Sequence, residues 1–81
     1  MAPMPRYYFD FRDDDALLSD DVGLEFDSIE NVRDKAAVAL AEHGKFVLPG
    51  AARRVLSIDV RDEESEPVLQ ARLVFEVVRL K

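Results

Sequence analysis

Cysteine and threonine are absent from the 81 residues, and histidine occurs once. Without cysteine there are no disulfide staples, no thiolate zinc sites and no cysteine nucleophile, and an intracellular compartment is the simpler expectation. Hydroxyl nucleophiles reduce to Ser19, Ser28, Ser57 and Ser65, which fall in turns, at a helix cap or on the polar side of a strand pattern. No catalytic set assembles from them. Long apolar runs are also missing, which excludes a membrane-spanning helix, and MAPMPRYYF lacks the apolar stretch of a secretory signal. The chain therefore reads as soluble and cytoplasmic. Basic residues are in short supply, with 11 Lys and Arg against 17 Asp and Glu and a net charge of −6. The deficit is local: nine of the acids precede Asn31, where the only bases are Arg6 and Arg12. Such a chain is repelled by phosphate backbones, so direct nucleic-acid binding is disfavoured and a basic protein surface is the better partner.

What remains is enough for one domain over residues 1–81, with residues 1–5 expected as a frayed leader because two prolines interrupt them. Hydrophobic residues make up 48% of the chain, so a core exists to be buried. A chain this short buries only about 60% of its unfolded surface, and association with a second copy would add stability.

The strongest periodic signal runs from Ser28 to Val47. Ile29, Val32, Ala36, Ala39, Leu40 and Val47 recur at three- and four-residue steps, which is one stripe of an α-helix. Asp27 or Ser28 suits the N-cap, Glu30 the positive end of the helix dipole, and Pro49-Gly50 the stop. On either side the pattern alternates with period two. Tyr7, Phe9 and Phe11 oppose Tyr8, Asp10 and Arg12; Leu56, Ile58 and Val60 oppose Val55, Ser57 and Asp59. Leu69, Ala71, Leu73, Phe75 and Val77 oppose Gln70, Arg72, Val74 and Val78. A short strand near Leu17 follows the Asp13-Asp14-Asp15 turn, and DEESEP at residues 62–67 joins the last two strands. The expected fold is α+β in the order β-β-α-β-β: an antiparallel sheet of three to four strands with one long helix on one face.

Two groups of residues are candidates for interaction. Tyr8, Val55, Val74 and Val78 fall on the sheet face away from the helix, more apolar area than a wholly solvated face needs, and predict a homodimer. Asp13, Asp14, Asp15, Asp20 and Asp21 form an acidic segment suited to a basic partner. Their spacing lacks the calcium-loop pattern ending in a glutamate at the twelfth position, so neither a metal nor a cofactor is expected. His43 projects between Ala39 and Leu40 and reads as a helix-end histidine. The contrasting reading is a small enzyme or ligand-binding domain using carboxylates and His43. Arg53-Arg54 with Lys45 is too small a basic spot for nucleic acid, and Tyr8 stands without the aromatic pattern of RNA-binding sheets.

With MPRYYFDFRD at Met4 to Asp13, DDVGLEF from Asp20, the alanine-rich helix, and RRVLSIDVRDEESEPVLQARLVFEV to Val77, the chain resembles a family of very small bacterial proteins catalogued as a domain of unknown function. The resemblance covers nearly the whole chain, implies Met4 as the customary start, and implies no activity. Asp14 and Ala16 stand where glycines are expected in such a first turn. In style the chain is also similar to HicB-type antitoxins, with a first strand, an acidic turn, a short strand and a helix opening on a DSIENV-like cap. That second likeness implies an acidic protein that covers a basic toxin.

Overall fold

Ser28 sets where the helix begins. In the computed structural model, which describes residues 4–81, its backbone is extended (φ −151°, ψ 154°) and its Oγ accepts from the Asn31 amide at 3.2 Å. Helix α1 then runs Ile29–Val47, with Glu30 in its first turn and Lys45 in its last, each suiting the dipole at its end. The chain leaves through Pro49-Gly50, where Gly50 takes φ 88°. The buried row is Val32, Ala36, Leu40 and Gly44, an unbroken step of four. It is narrower than the expected stripe: Ile29 is 42% exposed, and Ala39 and Val47 are half-buried. Gly44 belongs to the row because a Cβ there would lie 3.1 Å from a Leu48 methyl and 3.3 Å from a Leu73 methyl. Its missing side chain lets the helix sit close to the sheet.

The strands are β1 (Arg6–Asp13), β2 (Ala16–Leu18), β3 (Leu24–Glu25), β4 (Arg53–Arg61) and β5 (Pro67–Glu76). The sheet order is β2-β1-β4-β5, with β3 pairing β1 as well, and every pairing is antiparallel. The architecture is the expected α+β one, with the two-residue β3 as an addition. Register keeps like faces together: Phe9 faces Val60, Phe11 faces Ile58, Ile58 faces Ala71 and Leu56 faces Leu73. Leu56, Ile58 and Val60 join Val32, Ala36 and Leu40 in a fully buried core, and Tyr7, Phe9, Phe11 and Phe26 pack around it. Because β5 ends at Glu76, Val77 is 56% exposed rather than an inward residue, although its amide still donates to the Ala52 carbonyl at 2.8 Å.

Of the expected leader, residues 1–3 lie outside the described residues. Pro5 is anchored, its carbonyl accepting from the Phe26 amide at 3.0 Å.

One dimension decides where apolar surface stays open. A helix with side chains is about 10–12 Å across, whereas four strands spaced about 4.8 Å apart make a sheet of about 19 Å. Helix α1 contacts β4 and β5, so β1 and β2 on one flank and the outer side of β5 on the other are left partly uncovered.

Candidate functional site

The acids of the N-terminal third divide by what they bond. Asp13 ends β1 on the helix side of the sheet. Its carboxylate accepts from Arg54 Nε at 2.7 Å and Nη2 at 2.9 Å, and lies 3.2 Å from His43 Nε2. Arg54 holds the Asp13 pKa down to about 2 against the opposing effect of burial, and His43 adds to the lowering. Asp13 in return raises the pKa of Arg54. The His43 ring meets Phe11 edge-on at 4.4 Å, so strand, helix and β4 are tied at one point.

Asp20 has a different task. β2 bonds the end of β1 and β3 its start, and between them the Asp20 carboxylate takes the place of a strand, accepting from the Phe9 amide at 3.0 Å. Its other oxygen accepts from the Val22 and Gly23 amides, both at 3.0 Å. Burial opposes its ionisation, but the amides of Gly23, Phe9 and Val22 outweigh that and hold its pKa below the usual carboxylate value. The Asp20 amide donates to Asp10 at 2.9 Å and its carbonyl accepts from Arg61 at 2.6 Å, while Arg61 also pairs with Asp10 at 2.9 Å. Gly23 closes this turn at φ 73°, where a Cβ would stand 2.9 Å from the Tyr7 carbonyl oxygen.

Asp14, Asp15 and Asp21 are exposed. Asp14 occupies the left-handed region at φ 51°, a conformation aspartate tolerates, and so forms the first turn without the expected glycine. Among the described residues no three metal-binding side chains gather.

The four residues expected on the open sheet face do not form one patch. Tyr8 lies opposite Arg61, whose guanidinium stacks 4.6 Å from its ring centre. Val55 faces Val74 six residues further along β4, about 20 Å away, and Val78 lies beyond the end of β5. Charged and polar pairs fill the rest: Arg53 with Glu76 at 2.8 Å and Gln70 with Asp59 at 2.6 Å.

The larger apolar openings flank the helix instead. Between α1 and the β1–β2 hairpin runs a groove of about 450 Å³ lined by Phe11, Leu18, Ala39, Glu42, His43 and Phe46. Leu18 is 72% exposed and Phe46 80%. A second groove, also about 450 Å³, lies between α1 and β5 and is lined by Leu48, Pro49, Leu73 and Phe75 among others. Sequence reasoning assigned neither. The available signals were Leu17-Leu18, two apolar residues in succession on a strand, and Phe46, which falls off the helix stripe.

A single helix on one face of an antiparallel sheet, with its acids partly drawn into structural bonds, defines a small α+β domain. The described helix is not long and apolar enough to cross a membrane. The chain belongs to the family described as Domain of unknown function (DUF6894), whose pattern matches residues 6–74, from the first residue of β1 almost to the end of β5. No curated protein and no solved structure matches it.

Proposed function

We propose that the domain is a non-catalytic protein-binding module of the bacterial cytoplasm, and that the groove between α1 and the β1–β2 hairpin takes an apolar side chain from a basic partner protein. The observation that carries this reading is the pairing of exposed apolar side chains, Leu18 and Phe46, with acids around them: Glu42 lines the groove and Asp21 the adjoining depression beside Leu18. An apolar anchor ringed by charge is the usual anatomy of a binding surface. An acidic inhibitor or antitoxin-like role is the form this takes if the partner is a basic effector. The contrasting reading, a small enzyme or ligand-binding domain using carboxylates and His43, draws on the 3.2 Å contact between His43 and Asp13. Against it, both Asp13 oxygens are already engaged by Arg54.

The test is to recover basic proteins that co-purify with the chain and to titrate each against it by calorimetry at two salt concentrations. Binding should weaken steeply with salt and fall at least about tenfold on Phe46→Ser. Affinity indifferent to both changes would refute the groove as the binding surface.

A further inference from the structure

The two edges of the sheet are not equivalent. The outer edge of β1 is occupied by β2, β3 and the Asp20 carboxylate, whereas among the described residues β5 pairs only with β4 along its ten residues. Natural sheets blunt a long free edge with proline, lysine or a bulge. β5 has proline only at its first position, its one irregularity lies at the Arg61 end, and no lysine occurs in it.

The direction of the free hydrogen-bonding groups follows from one bond. The Val77 amide points to Ala52, next to β4, so alternation turns the amides of Phe75, Leu73 and Ala71 inward and those of Glu76, Val74, Arg72 and Gln70 outward. Arg72 is the one cation of this strand. Among the described residues it has no carboxylate partner, and its only side-chain bond is to Gln70 at 3.4 Å. Glu76 lies four residues on, on the same face; its Oε2 accepts from Arg53 at 2.8 Å, and among the described residues its Oε1 has no hydrogen-bond partner.

We propose that β5 pairs antiparallel with β5 of a second copy about a two-fold axis at Val74, so that Arg72 of each chain faces Glu76 of the other. An axis at Arg72 would set two guanidiniums opposite each other, an axis at Glu76 two carboxylates, and an axis at Ala71 would oppose Glu76 to Glu66. Axes at Leu73 or Phe75 avoid repulsion but form no ion pair. An axis at Leu69 would oppose Arg72 to Glu66 but also Glu76 to Asp62, so among these registers only the one at Val74 pairs opposite charges without opposing like ones, and it does so twice. On the helix side the same register brings Leu73 beside Phe75 of the second copy and covers the groove between α1 and β5. Two sheets become one continuous sheet, with a helix from each copy on the same side. This inference is independent of the partner-binding groove, which lies on the other flank of the helix.

Sedimentation equilibrium on three proteins tests it. Wild type should dimerise. Arg72→Glu and Glu76→Arg should each weaken the dimer at least about tenfold, because like charges then meet twice across the axis. An equimolar mixture of the two variants should recover a dimer of one chain of each kind, since one chain is acidic at both positions and the other basic. Circular dichroism checks that each variant is folded. Val74→Cys, the sole cysteine of its chain, should give a disulfide-linked dimer on oxidation, whereas Ala37→Cys on the helix surface should not. A monomeric wild type at millimolar concentration, variants that dimerise as well as wild type, or folded variants that stay monomeric when mixed would each overturn the proposal.

Discussion

Asp13→Asn removes a charge from the point where β1, β4 and the last turns of α1 meet, and its cost should depend on pH in a defined way. Arg54 holds the Asp13 carboxyl at about 2 rather than 3.8 in the folded chain. A carboxyl whose folded pKa is depressed contributes stability that is complete above its unfolded pKa and is lost as pH falls through the folded one. Full shielding would make that contribution about 2.4 kcal/mol. The Arg54 side chain is 33% exposed, so solvent screens the pair, and about 1 kcal/mol is the reasonable expectation. Urea unfolding of wild type and Asp13→Asn should therefore differ by about 1 kcal/mol between pH 5 and 7. The gap should close mainly between pH 4 and 2. Other carboxylates titrate in both proteins and cancel in the difference. A gap of the same size at pH 6 and pH 2 would show that the Asp13–Arg54 ion pair does not stabilise the junction of β1 and β4.

Two further substitutions probe the frame that carries these surfaces. Leu40→Ala should cost about 2–5 kcal/mol, because Leu40 is only 6% exposed between helix and sheet, while Phe75→Ala at the lip of the β5 groove should cost clearly less; equal losses in chemical denaturation would contradict the assigned burial. Ser65→Gly should raise stability by about 1 kcal/mol, since Ser65 holds φ 63° in the β4–β5 turn and glycine takes that angle freely; a lower thermal midpoint would show that the serine side chain compensates for its strain.

Local chemistry made the helix and the long strands legible. Ser28 has a side-chain acceptor one residue before the apolar row begins, and Leu56, Ile58 and Val60 alternate without interruption, so neither needs distant information. Gly44 was not legible as a core residue, because its place in the row comes from Leu73 of β5 pressing on a helix that periodicity describes only in isolation. The acids were legible as a group but not by their individual roles. Asp13 and Asp14 are neighbours in one turn, yet alternation sends Asp13 to the helix side to meet Arg54, 41 residues away, and leaves Asp14 exposed. Asp20 was read only as one of a group of acids facing a partner; its bond to the Phe9 amide exists only once β1 runs beside it. The open-face patch failed for a similar reason: Tyr8 and Val55 share a face, but the register sets them at opposite ends of it.

The Asp20 carboxylate on the edge of β1 also fixes the valence of the sheet. A strand arriving at that edge would meet an acid already holding the amides of Phe9, Val22 and Gly23, with β2 and β3 on either side of it. Among the described residues, growth by strand addition is open at β5 alone. A molecule with one available edge terminates after a single addition, so two copies joined through β5 leave no edge for a third and cannot extend into a fibre by strand addition.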